Sequence, residues 1–229
     1  MIVSPAKDKL VLAGNFTTLN GSSNPGYGMG AVDAVTGASL PWAVDGLIRN
    51  AGINSRIMSL ASDGTSVYGT GNMSSQNLEG TESVFKASWV DGTLEWQSDC
   101  HGDTYSVAVD GPVVYNVGHA HYCGGIGGFG EGVKSPNGDV HHRALAFSAA
   151  TTGTLKPWTA GGSYGNFGGR PSPSLLDWYP ELDAGAFTGT SQAAWDVTTA
   201  QGYVLLAGEF TAVNGVKQRG LTRFAPTSI

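Results

Sequence analysis

The sequence predicts an all-β protein, a β-propeller of about four recognisable blades. Three observations carry this. An octapeptide occurs near both ends, Gly14-Asn15-Phe16-Thr17-Thr18-Leu19-Asn20-Gly21 and Gly208-Glu209-Phe210-Thr211-Ala212-Val213-Asn214-Gly215, each directly after an apolar run, and such self-similarity is the mark of a repeat architecture. Short β runs recur with Asp-Gly or Thr-Gly turn signals between them. Three units then close on Leu and Trp, at Leu40-Pro41-Trp42, Leu94-Glu95-Trp96 and Leu155-Lys156-Pro157-Trp158. A β-sandwich and a β-solenoid are the alternatives. No segment shows a 3.6-residue apolar period, so helix content is expected to be low.

Taken in order, the first strand of each unit is read at Met1 to Val3, Ile57 to Ala61, Tyr105 to Val109 and Ala194 to Val197. The second strand ends at a glycine: Gly14, Gly71, Gly118 and Gly208. The third runs over Met29 to Asp33, Val84 to Trp89, Arg143 to Phe147 and Gly220 to Phe224. The Leu and Trp positions mark a fourth strand, where the indole fills the wide outer wedge between neighbouring sheets. The expected organisation is a single domain, 1–229, with blades at 1–52, 53–99, 100–162 and 193–229 and an insertion at 159–192. The chain opens inside a first strand and stops after a third. It is therefore expected to be an arc of a larger ring, completed by further residues or by another chain.

Composition narrows the function classes. The 229 residues carry 18 acidic and 12 basic side chains, a formal net charge of -6. That balance excludes a sequence-independent grip on nucleic acid, which uses Lys and Arg to displace counterions, and a polybasic membrane patch. No run of 18 apolar residues exists, so no membrane insertion is expected. Met1 to Asp8 lacks a basic region followed by an apolar stretch, so it does not read as a signal peptide; the chain stays inside the cell or is a mature piece of something longer.

The G-x-F-T-x-x-N-G core after an apolar strand, with the ending Arg219-Gly220-Leu221-Thr222-Arg223-Phe224, resembles the delta-60 repeat β-propeller family. The middle of the chain, from Trp96 through His101-Gly102-Asp103 and His119-Ala120-His121 to Ala193-Ala194-Trp195, is similar to secreted actinobacterial propeller proteins of that type. The resemblance implies a propeller in a secreted or virion setting, since those propellers are often fused to lectin-like or PKD-type domains and related modules occur in phage tails. It carries over no catalytic motif.

Cys100 and Cys123 bracket a hairpin whose turn falls at Gly111-Pro112. If Asp110 faces Val113, the register sets Cys100 opposite Cys123, close enough for a disulfide. A disulfide implies an oxidising compartment; two reduced core cysteines are the alternative. In strand alternation His119 and His121 share one face with Cys123, and Asp99, His101 and Asp103 share the opposite face if the strand stays regular. His101, Asp103, His119 and His121 could bind a divalent ion, or their imidazoles could bond to neighbouring carbonyls at the loop end of a blade. No H-E-x-x-H, C-x-x-C or EF-hand pattern is present.

The insertion is the longest interruption of the repeat and places Tyr164, Arg170, Asp177, Trp178 and Tyr179 together in sequence. Aromatic faces beside charged groups on a long loop suit a glycan or a peptide; packing of Leu175, Leu176 and Trp178 onto a blade is the structural alternative. The loop from His121 to His142 is a second insertion, expected to form a rim. The expected function is an extracellular or cell-surface, non-enzymatic module for glycan or protein binding or for surface assembly, without a cofactor. The alternatives are a carbohydrate-active hydrolase or lyase with a divalent metal at the rim, and a virion or tail component.

Overall fold

The central strands are buried on both faces, with alternate side chains packing on alternate neighbouring sheets. In β6 (Ser66–Met73) Val67 packs against the sheet before and Tyr68 against the sheet after, because successive side chains point to opposite faces. In the computed structural model, which describes residues 1–73, 79–132, 134–135, 138–162 and 164–225, the chain is all-β, with 43% strand and 3% helix. Residues 226–229, beyond the last strand, lie outside the described residues.

Four sheets follow the four sequence units. The first is the antiparallel meander β1 (Ile2–Val3), β2 (Lys9–Ala13), β3 (Met29–Asp33) and β4 (Ser39–Leu40). The second is β5 (Ser55–Ser62), β6, β7 (Val84–Ser88) and β8 (Leu94–Gln97). The loop after β9 (Thr104–Asp110) and β10 (Val113–Ala120) carries a small hairpin, β11 (Lys134–Ser135) with β12 (Gly138–Asp139), before β13 (His142–Ser148) completes the third sheet. β14 (Gly153–Thr154) pairs with β15 (Pro171–Ser172). The fourth sheet is β16 (Ala194–Ala200), β17 (Tyr203–Gly208) and β20 (Leu221–Phe224), with a hairpin of β18 (Ala212–Val213) and β19 (Val216–Lys217) inserted.

The expected glycine ends its strand only at Gly208, since β2 stops one residue before Gly14 and β6 and β10 run two residues past Gly71 and Gly118, but in the last two units it has the same steric cause. A Cβ on Gly118 would lie 2.1 Å from the carbonyl oxygen of Asp103, and one on Gly208 would lie 2.1 Å from that of Ala193. Only glycine lets the second strand approach the entry of the first so closely. In the octapeptides the equivalence extends to hydrogen bonds: Gly14 N–H donates to Gly28 O and Gly28 N–H to Phe16 O, as Gly208 N–H donates to Gly220 O and Gly220 N–H to Phe210 O.

The third unit departs from the expected pattern. Its Leu155 to Trp158 stretch does not pair with β13. Leu175 bridges Phe147 instead, with Ser148 N–H donating to Ser174 O and Leu176 N–H to Ala146 O. The insertion thus covers the outer edge of the sheet, an edge that unpaired would expose a row of amides. Trp42 and Trp96 are buried between sheets as expected, whereas Trp158 is only partly buried and sits against His101.

Three apolar cores separate the four sheets. The first joins Val11, Met29 and Trp42 to Ile57, Val67 and Phe85; the second joins Tyr68 and Trp96 to Val107, Val114 and Phe147; the third joins Ala108 and Val117 to Val197, Val204 and Leu206. The first strands β1, β5, β9 and β16 neighbour one another in that order. The outward faces of the two end sheets keep apolar side chains in contact with solvent, Val3 at 52% exposure on one and Leu221 at 55% on the other. No helix among the described residues is long and apolar enough to cross a membrane.

Candidate functional site

The site grows out of the β9–β10 hairpin. The register set by Asp110↔Val113 holds to Ser106↔Val117, slips by one at Thr104↔Gly118, and returns at His101↔Tyr122. Tyr105 is the extra residue of this bulge, and a bulge re-aims neighbouring side chains. Glycine permits the close approach on both strands: a Cβ on Gly102 (φ +108°) would lie 2.4 Å from the carbonyl oxygen of His119. Because the two slips cancel, the next pair is Cys100 and Cys123. They form a buried disulfide with Cα atoms 4.3 Å apart.

The expected separation of His101 from His121 onto opposite faces does not hold at their ring nitrogens. His101 and His121 meet at one carboxylate: Glu131 Oε2 lies 3.1 Å from His101 Nδ1, and Glu131 Oε1 lies 2.7 Å from His121 Nδ1. A carboxylate only accepts, so both rings present Nδ1–H to it. The Tyr164 hydroxyl donates to the Glu82 carboxylate and lies 3.3 Å from His121 Nε2. The Tyr164 ring stacks on His101 at 3.6 Å with 9° between the planes. His101 Nε2 is buried with no hydrogen-bond partner among the described residues. His119 Nδ1 accepts from the Tyr105 hydroxyl at 2.8 Å, and the His141 ring lies 5.7 Å from that of His119 and 6.0 Å from that of His121.

Burial sets the protonation of this cluster. It pushes His101 down to about 4 despite the opposing Glu131 carboxylate, and His119 down to about 4 with the Arg143 charge adding to the effect. Both rings are neutral at pH 7. Burial raises Glu82 to about 7 although Gly102 N–H donates to it at 2.7 Å. It raises Asp99 to about 7 against the pull of Arg170, and it raises Asp103 against a hydrogen bond from Met73 N–H. Tyr164 is raised by burial and by nearby Glu82 and Glu131, so its hydroxyl is a donor throughout the neutral range. Groups of opposite type driven to unusual values in one place are a mark of functional sites.

Beside the cluster opens a cleft of about 560 Å³, within the size range of ligand sites. His119, His121, Glu131, His141, Arg143, Thr190, Ser191 and Gln192 line it, with Gly132 and Val140. A neighbouring depression of about 810 Å³ shares Val140 and His141 and continues past Tyr179, Glu181 and Asp183. Phe187, 95% exposed, stands on the loop that supplies Thr190 to Gln192.

Of the residues proposed from sequence, His101, His119, His121 and Tyr164 come together. Their Nδ1 atoms, where they have them, are already hydrogen-bonded. Asp103 bonds backbone, and among the described residues no three His, Cys, Asp or Glu side chains are placed to hold a metal. The remaining insertion residues do not assemble with Tyr164. Arg170 donates to Gln97 Oε1 at 2.8 Å and lies over Phe167. Trp178 packs on Tyr115 and Phe224, Tyr179 reaches the second depression, and Asp177 is exposed. Glu131, Glu82, Tyr105, Arg143 and Gln192 were missed. Of these only Tyr105 had a local signal, as the residue inserted between the closely approaching Gly102 and Gly118.

No protein-family model matches the chain, and no curated protein sequence matches it. Among solved structures, the computationally designed Ika8 protein matches over 83% of this chain and 54% of its own length, at 16% identity and a TM-score of 0.31. The computationally designed Ika4 protein matches over 78% of this chain and 96% of its own, at 15% identity and a TM-score of 0.28. The chain therefore spans about half the length of Ika8. At these scores the likeness says nothing about what the chain does.

Proposed function

We propose that the chain is a β-propeller arc of the delta-60 repeat kind that binds glycan in the His119–Gln192 cleft and works in an oxidising compartment, outside the cell or at its surface. The cleft carries the reading. Nearly every side chain lining it can donate or accept a hydrogen bond, which suits a polyhydroxylated ligand, and exposed Phe187 lies on the loop that supplies Thr190 to Gln192. The four stacked meanders support the propeller arc, and the disulfide supports the compartment. The uncovered apolar faces of the end sheets support completion of the ring by further blades of the same protein. A glycan array followed by isothermal titration tests the reading: a glycan binds, and Gln192→Ala weakens it about 3- to 10-fold, as expected for one neutral hydrogen bond. Absence of binding to every glycan class overturns it.

A second reading, acid–base catalysis on the bound glycan, is favoured by His121 and Glu131, which both line the cleft and pair at 2.7 Å. A carboxylate that orients an imidazole through Nδ1 leaves the other ring nitrogen to move a proton. It predicts a cleaved product that disappears in both His121→Gln and Glu131→Gln. An intact glycan after prolonged incubation contradicts it.

A further inference from the structure

Arg143 lies on β13, half-buried at the wall of the cleft. Its hydrogen-bond partner is a neutral amide, Gln192 Oε1, at 2.8 Å from Nη1. Two other partly buried cations sit on carboxylates, Arg49 at 3.1 Å from Asp45 and Lys86 at 2.9 Å from Glu95, whereas Arg170 and Lys9, like Arg143, donate to neutral oxygens, but away from the cleft. Arg143 has no such counterion among the described residues. Glu131, the carboxylate of the same cleft, has both oxygens tied to histidines. Holding a guanidinium away from water without an anion is costly, and burial accordingly lowers the Arg143 pKa.

The ligand chemistry follows from what surrounds this cation. A guanidinium carries five N–H donors in a planar fork matched to a carboxylate. Gln192 uses part of that capacity, and the neutral His119 ring beside it adds no competing positive charge. The net charge of -6 means that bulk electrostatics do not recruit an anion, so recognition has to be local. Thr190, Ser191 and Gln192 supply hydroxyl and amide groups next to the fork. A second depression that shares Val140 and His141 with the cleft and reaches Tyr179 offers further surface for a chain longer than one sugar.

We propose that the cleft binds an acidic glycan, with the carboxylate of a uronic acid residue seated on Arg143 and the neighbouring hydroxyls on Thr190, Ser191 and Gln192. This rests on the glycan-binding reading and names its ligand class.

Isothermal titration of the full chain at pH 7 tests it, using tetragalacturonate, a hyaluronan tetrasaccharide and an alginate oligomer, each beside its carboxyl-reduced counterpart. At least one acid binds about 10- to 100-fold more tightly than its reduced form, the range of one charge-assisted carboxylate contact. Arg143→Gln removes that preference, and Arg143→Lys restores it only in part, because an ammonium is a point charge without the fork. If an acid and its reduced form bind alike, the acidic assignment fails and the glycan reading stands. If the preference for the acid survives in a folded Arg143→Gln protein, the assignment to Arg143 fails. If none of the six probes binds, the acidic assignment fails, and the glycan array decides the wider reading. Should Arg143→Gln not fold, the comparison of acid with reduced form in the unaltered chain remains decisive.

Discussion

Breaking the Cys100–Cys123 bridge is expected to cost stability and to loosen the histidine cluster together. The bridge joins residues 23 apart in sequence. In the chain-entropy model a closed loop of this size destabilises the unfolded state by about 3.4 kcal/mol. For a chain of this length that corresponds to a fall in Tm of roughly 7–14 °C. Both sulfurs are buried, so Cys100→Ala/Cys123→Ala is the cleaner variant; serine would bury two hydroxyls. The site is coupled to the bridge through its own backbone. Cys123 N–H donates to Phe129 O, and Cys123 O accepts from Gly128 N–H, holding the turn two residues before Glu131. His101 follows Cys100 directly. The assay is urea unfolding of the oxidised protein and of the double variant, with hydrogen exchange read across residues 119 to 132. The expected result is a loss near 3 kcal/mol, with faster exchange concentrated in that segment. A loss below about 1 kcal/mol with unchanged exchange would refute the coupling.

Two further perturbations probe the scaffold and the electrostatics. Gly208→Ala forces a Cβ against the Ala193 carbonyl and is expected to cost about 1–3 kcal/mol, measured by chemical unfolding; a neutral result would mean that the strand entry yields freely. His101 is neutral in the fold down to pH about 4 against an ordinary 6.5, so the unfolded chain binds the extra proton and stability falls as pH drops from 6.5 towards 4. The full effect is about 3 kcal/mol. Asp99, raised to about 7, acts in the opposite sense and gains stability on acidification between about 7 and 4. Melting curves at pH 7 and pH 4.5 should therefore show a smaller acid-induced loss in His101→Phe, and a larger one in Asp99→Asn, than in the unaltered chain. Parallel profiles for all three would contradict the assignment.

The strands were legible because alternation and turn chemistry are local. β3 spans Met29–Asp33 as read, and the Asp63-Gly64 and Gly111-Pro112 turns fall between paired strands. The disulfide was legible for a less secure reason: simple counting ignored two register slips, and they happen to cancel. The meeting of His101 and His121 was not legible, because the Glu131 that joins them comes from the loop after β10 and reaches both rings through tertiary packing. Leu155 to Trp158 carries the same pattern as Leu40 to Trp42 and Leu94 to Trp96. The competing strand at Ser174 to Leu176 lies in an insertion whose pairing is a long-range event. Glu131 follows a glycine-rich run with no period, and Arg143 reads as an ordinary strand residue. Their importance comes from being brought beside His121 and Gln192 by tertiary packing, which no local pattern encodes.

The central claim is that the cleft between His119 and Gln192 is where ligand binds. Histidine resonances test it most directly, because three of the five histidines, His119, His121 and His141, line the cleft. With selectively labelled histidine, titration with the tightest-binding uronate oligomer is predicted to shift those three signals saturably and with one common affinity. Saturable binding that leaves all three unmoved would place the ligand elsewhere and contradict the account.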